Sequence, residues 1–160
     1  FVEDQEYLEQ IPIAAKLLAE YPDKIAMPVD VALNKNGERI DVAVSALSND
    51  LPIADIGLET IVDYSKELKD ARVTVMNGPA GIFEQEKFKL GTSELLKASA
   101  ESDYSIAGGG HSVAAIEQLG LEPKFSHVSM GGGASITYLS GEPLPGIEAL
   151  KKYALKVRKA

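Results

Sequence analysis

Three glycine-bearing turns punctuate the second half of this 160-residue chain, and each follows a short apolar run. Val73-Thr74-Val75-Met76 leads into Asn77-Gly78-Pro79-Ala80-Gly81. Tyr104-Ser105-Ile106-Ala107 leads into Gly108-Gly109-Gly110, and Phe125-Ser126-His127-Val128-Ser129 into Gly131-Gly132-Gly133. The last two turns run into helix-forming sequence. This is the layout of strand ends in a parallel α/β sheet. There glycine lets a ligand approach the backbone, and a helix N-terminus leaves N–H groups free for an anion. Three such turns on one sheet edge imply a phosphate-bearing ligand of nucleotide type.

The length suits one domain with a real core. The 16 basic and 24 acidic residues give a net charge of −8, which disfavours nonspecific binding of nucleic acid. A polyphosphate site on such a chain must rely on backbone N–H groups, metal and local cations, or borrow cations from elsewhere. With no cysteine, disulfides, thiolate metal sites and a cysteine nucleophile are excluded. No apolar stretch approaches the roughly 20 residues that span a membrane. The N-terminus lacks the layout of a signal peptide. A cytoplasmic protein without membrane or nucleic-acid partners is the expectation. The chain begins at Phe1 rather than Met, which suggests a piece of something longer.

Apolar spacing predicts a helix over 3–20, kinked or divided at Pro12. Ile25 to Leu33 reads as β-rich, with an irregular spot at Pro28. Asn36-Gly37 between two apolar runs predicts a hairpin, an antiparallel excursion from the main sheet. Residues 45–54 read as loop. Asp55-Ile56-Gly57 opens a helix over 57–69 with Leu58, Ile61, Val62 and Leu68 inward. Strands are expected at 72–76, 103–107 and 125–129, and helices at 93–101, 111–119, 132–139 and 146–156, with Thr92 as a cap. The basic tail (Lys151, Lys152, Lys156, Arg158, Lys159) suits a helix C-terminus.

Each candidate residue has a plainer reading. A triple glycine also permits close strand–helix packing. Ser112, Ser129 and Ser135 offer hydroxyls beside the turns, yet serines there also serve as N-caps. Asn77 also shapes a turn. His111 suits phosphate contact, metal binding or capping; His127 reads as a packed residue. Glu84 and Glu86 read equally as solvated loop charges. No HExxH, Walker lysine motif, GxSxG elbow or GxGxxG fingerprint occurs.

Taken together, these residues resemble those of phosphoglycerate kinase, of the archaeal type. Asn77-Gly78-Pro79-Ala80-Gly81-Ile82-Phe83-Glu84 is similar to its NGPxGxFE signature, with Gly91-Thr92 at the family's distance. Gly108-Gly109-Gly110-His111-Ser112 resembles GGGD[ST], and His127 to Ser135 resembles HVSTGGGAS. Leu144-Pro145-Gly146 and Met27-Pro28-Val29-Asp30 resemble the LPG and LPVD segments. The match covers nearly the whole chain.

The resemblance implies most of a C-terminal nucleotide-binding domain over residues 1–160, without the basic N-terminal substrate domain. The implied fold is α/β: a three-layer Rossmann-like parallel sheet, incomplete at its N-terminal end, with a small β-hairpin excursion. The implied activity of the whole enzyme is phosphoryl transfer between 1,3-bisphosphoglycerate and ADP, with Mg²⁺ accompanying ATP or ADP. The 3-phosphoglycerate would bind through the missing domain. By motif, Met27 lines the adenine pocket, Asn77 and Pro79 border the nucleoside, and Glu84 bonds the ribose hydroxyls. Gly108, Gly109, Gly110, His111 and Ser112 face the nucleotide phosphates. Gly131, Gly132 and Gly133 offer N–H groups to the transferring phosphoryl group, as expected where oriented amides stabilise transfer. His111 stands where the family has a metal-binding aspartate, and imidazole suits Mg²⁺ poorly. The family's GGxKVSxK segment is not found either. Its two strands should lie between the Ile25 strand and the other three, so an open sheet edge and self-association are expected.

Overall fold

The computed structural model describes residues 7–48 and 50–157, with side chains to residue 154. Asn36 and Gly37 hold φ angles of 54° and 86°, the left-handed pair that a two-residue turn needs. They join β1 (Asp30–Lys35) to β2 (Glu38–Ala43), with Lys35 opposite Glu38 in antiparallel register. A third strand, β3 (Ile53–Ile56), pairs antiparallel with the other side of β1. Ile53 and Ala54 lie where a loop was expected, and Asp55 and Ile56 where a helix was expected to open. The strand is only 4 residues long between Pro52 and Gly57, too short to display an alternating pattern. The expected strand at Ile25 begins at Asp30 instead, because Pro28 lacks the N–H a ladder needs.

The second sheet is parallel, ordered β4 (Val73–Asn77), β5 (Tyr104–Gly108), β6 (His127–Ser129). The helices are α1 (Ile11–Glu20), α2 (Leu58–Asp70), α3 (Leu90–Ser99), α4 (Gly110–Leu119), α5 (Gly132–Leu139) and α6 (Pro145–Val157), of which α2 to α5 pack on the strands. The fold is thus α/β with a parallel sheet. The core gathers Phe83, Leu96, Ala107, Ile116, Leu121 and Phe125, which seats α3 and α4 against β4 and β5. Among the described residues the two sheets share no strand pairing, so the antiparallel strands stand apart from the parallel sheet, as an excursion was expected to.

A short 3₁₀ turn, Leu8–Gln10, precedes α1, and Pro12 lies in the first turn of α1, where a missing N–H costs nothing. Residues 3–6 of the expected helix fall outside the described residues, as do the side chains of Lys156, Arg158 and Lys159. Other expectations need correction. Thr92 sits inside α3 rather than capping it. Leu58 and Val62 face outward, because Thr60 is drawn to Asp30 and turns the Thr60–Ile61 face inward. His127 is exposed rather than packed. Ser112 and Ser135 cap no helix.

Candidate functional site

Parallel register brings the ends of the three strands into one row. Asn77 lies opposite Gly108, and Gly108 opposite Ser129. The three turns therefore leave the sheet side by side. The second turn reverses at Gly109, whose φ of 94° a side chain would oppose. The third turn then packs onto it. A Cβ on Gly132 would stand 2.4 Å from both Cα and N of Gly109 and 2.9 Å from Oδ1 of Asn77. Only a glycine permits that approach, so Gly132 is a packing residue whatever else the turn does.

The backbone at the two helix starts is left available. No side chain caps α4 or α5. The amides of Gly110, His111 and Ser112, and of Gly132, Gly133 and Ala134, have no acceptor within their own helices, as geometry dictates for a first turn. Gly110, Gly131 and Gly133 are exposed, and a Cβ on Gly110 or Gly133 would meet nothing within 4 Å. Two uncapped helix N-termini thus converge beside Asn77, the arrangement suited to an anion.

The first turn differs. Gly78 donates its N–H to Ser112 Oγ at 2.8 Å. Ala80 and Gly81 donate to Thr92 Oγ1 at 3.0 and 3.3 Å. Ile82 donates to the Ala54 carbonyl at 2.8 Å. Pro79 has no N–H, so every amide from 78 to 82 is spent inward. This turn cannot cradle a phosphate with its backbone, unlike the other two. It presents the Asn77 side chain and the Pro79 ring instead.

The remaining candidates fall around this edge. Pro79 lines a cleft of about 480 Å³ with Pro28, Ile53, Ile56 and Ile82. Met27 is 60% exposed and lines a different depression, against Asp63 and Glu67 of α2. Phe83 is buried in the core and leaves Glu84 exposed just outside, whereas Glu86 pairs with Lys89 at 2.7 Å. Ser112 is 1% exposed, its oxygen occupied by Gly78. His111 is exposed.

These motifs in this order and geometry have known counterparts. A model of the phosphoglycerate kinase family matches residues 2–142. The chain belongs to the phosphoglycerate kinase family. It is 67% identical over 154 residues to phosphoglycerate kinase 1 of Methanosarcina acetivorans, covering 96% of this chain and 37% of that one. It is 53% identical over 161 residues to phosphoglycerate kinase of Methanosarcina mazei, covering all of this chain and 39% of that one. Among solved structures, phosphoglycerate kinase from Pyrococcus horikoshii superposes with a TM-score of 0.86 at 38% identity, over 94% of this chain and 38% of that one. The chain thus spans well under half the length of the relatives it matches.

For a phosphoglycerate kinase relative, the donor set around the glycine turns does not fit a protein-held Mg²⁺. Among the described residues no group of three or more His, Asp or Glu side chains is placed to hold a metal ion. Buried acids serve the fold instead. Asp30, on β1, accepts the amides of Glu59 and Thr60 at the start of α2. Asp55, on β3, accepts the Gly91 amide at the start of α3 at 2.9 Å and the Arg39 guanidinium at 2.8 Å. An acid inside an apolar strand needs donors, and that was the available signal. The donors themselves lie too far along the chain to be read from it.

Proposed function

We propose that this chain is the nucleotide-binding part of a phosphoglycerate kinase and holds ADP or ATP across the ends of β4, β5 and β6. The seating of Gly132 on Gly109 carries this reading, because it sets two uncapped helix N-termini side by side. Amides held in place this way stabilise the charge on a transferring phosphoryl group without reorganising. On this reading Met27 lines the adenine pocket, Asn77 and Pro79 border the nucleoside, and Glu84 accepts from the ribose hydroxyls. Gly108, Gly109, Gly110 and His111 surround the nucleotide phosphates, and Ser112, buried beneath them, acts through the Gly78 amide it holds. Gly131, Gly132 and Gly133 meet the transferring group.

The whole enzyme would transfer a phosphoryl group between 1,3-bisphosphoglycerate and ADP, giving 3-phosphoglycerate and ATP in cytoplasmic glycolysis. The 3-phosphoglycerate would bind outside these residues. Mg²⁺ would enter on the nucleotide's own phosphates. Among the described residues no helix is long and apolar enough to cross a membrane. A second reading, a non-catalytic nucleotide- or phosphate-binding module, is favoured only by His111 in place of the family's aspartate.

Titration calorimetry with ADP tests the site. Glu84→Gln should weaken binding by roughly 1–3 kcal/mol, the cost of a charged hydrogen bond. No ADP binding by the parent chain would overturn the reading; unchanged affinity in a folded Glu84→Gln variant would remove Glu84 from it. In a full-length enzyme carrying these residues, coupled ATP formation supports the kinase. ADP binding without turnover there supports the module.

A further inference from the structure

The first glycine turn is held by two hydroxyls from two different helices. Thr92 on α3 is 2% exposed, and its single oxygen accepts both the Ala80 and Gly81 amides. Ser112 in the first turn of α4 accepts the Gly78 amide from the other side. The preceding residue, Gly91, is anchored through its amide to Asp55, itself paired with Arg39. Thr92 is therefore fixed to the antiparallel sheet, while Ser112 is fixed to the helix end beside the glycine edge.

We infer that Thr92 is a positioning residue for the 77–81 turn and forms, with Ser112, a two-sided clasp that sets the nucleoside side of the site. The inference rests on the nucleotide reading above. Thr92 is too deeply buried to touch a ligand. It acts through the backbone of Ala80 and Gly81, which flanks Pro79, the residue whose ring the turn turns outward. Ser112 ties the same turn to α4, whose N-terminal amides face the phosphate side. The clasp thereby couples the spacing between nucleoside and phosphate contacts to two buried oxygens. Without them the turn loses the acceptors that hold its amides inward, and Asn77 and Pro79 lose their fixed placement.

The test uses the 160-residue chain with Thr92→Val, which removes the oxygen, Thr92→Ser, which keeps it, and Ser112→Ala. ADP affinity is read by calorimetry and amide protection by hydrogen exchange. Thr92→Val should speed exchange at Ala80 and Gly81 while β5 amides stay protected, and should raise the ADP dissociation constant about tenfold. Thr92→Ser should restore both, and Ser112→Ala should speed exchange at Gly78. Parent-like ADP affinity in Thr92→Val with loosened amides would overturn the clasp and leave the nucleotide reading standing. Should Thr92→Val fail to fold, Thr92→Ser and Ser112→Ala decide. Parent-like protection and affinity in Thr92→Ser, with weakened binding in Ser112→Ala, supports the clasp. Weak ADP binding in folded Thr92→Ser, or unaltered binding in Ser112→Ala, overturns it. A parent chain that binds no ADP overturns the nucleotide reading and the clasp with it.

Discussion

Asp30 caps helix α2 from a neighbouring strand: its carboxylate accepts the Thr60 amide at 2.8 Å and the Thr60 hydroxyl at 2.6 Å. Helix α2 has no side-chain cap of its own. Gly57 makes room for this, since a Cβ there would stand 2.1 Å from the Asp30 carboxyl carbon. Burial opposes ionisation of Asp30, but the Thr60 hydroxyl and the amides of Thr60 and Glu59 together outweigh it. The carboxyl is held below its ordinary value of 3.8.

That depression links stability to pH. Above the unfolded value the Asp30 carboxylate contributes in full; the contribution disappears as pH falls through the lower folded value. Acid unfolding monitored by circular dichroism should show the parent losing stability below about pH 4. Asp30→Ala should cost about 2 kcal/mol at neutral pH, the upper range for a helix cap, and show a shallower loss on acidification. An equally steep acid loss in Asp30→Ala would assign that titration to other groups.

Gly132 and Gly133 should separate packing from ligand contact. Alanine at Gly132 meets the Gly109 backbone, which cannot yield as a flexible side chain can. A penalty of about 2 kcal/mol would lower the thermal midpoint by roughly 4–8 °C. Alanine at Gly133 meets open space inside α5 and should leave the midpoint unchanged or higher, since alanine favours helix. Its methyl should nevertheless obstruct a phosphoryl group and weaken ATP binding roughly tenfold, about 1.4 kcal/mol, with ADP affinity unaltered. Equal ATP affinity in the two proteins would exclude Gly133 from contact with the transferring group.

Arg39 and Asp55 form a pair in which one partner is fully enclosed, with side-chain exposures of 14% and 0%. Burial works against the guanidinium charge, but hydrogen bonds to Asp41 and Asp55 prevail and hold it charged. Among the described residues, Arg39→Met would leave the Asp55 carboxylate with the Ile56 and Gly91 amides alone. The expected loss is about 3 kcal/mol, because one buried charge stays uncompensated. Adding Asp55→Asn should recover part of it. Urea denaturation of both variants measures this, and an unshifted midpoint in Arg39→Met would place the pair among the weak surface bridges.

The open side of β4 should drive association. Val73 and Val75 are 59% and 44% exposed, and among the described residues β4 pairs only with β5. Leu8, Ile11, Leu17 and Tyr21 around α1 and Leu150 and Tyr153 on α6 are also exposed. A free strand edge invites pairing with another chain, and exposed apolar side chains favour it further. Sedimentation of the 160-residue polypeptide at micromolar concentration should reveal dimers or larger species. A clean monomer with cooperative melting would count against this.

The strand–turn–helix order of the second half was legible in the sequence because its signals are local. Val73 to Met76, Tyr104 to Ala107 and the glycines after them act within a few residues, as does Asn36-Gly37 in the hairpin. The short strand Ile53–Ile56 was not legible, because its evidence is a partner, β1, rather than a pattern. The same holds for Asp30 and Asp55, whose helix-capping amides come from α2 and α3, and for Thr92, read as a local cap but bonded to Ala80 and Gly81. His127 followed the apolar run into an expected interior, yet on β6, which among the described residues pairs only with β5, it is exposed. At the glycine edge, sequence named the residues that permit close approach. Packing alone decided that Gly132 spends its freedom on Gly109, that Gly133 faces open space, and that the first turn keeps its amides inward. Backbone preference belongs to a residue and its neighbours; burial, capping and close approach belong to pairs that only the folded chain brings together.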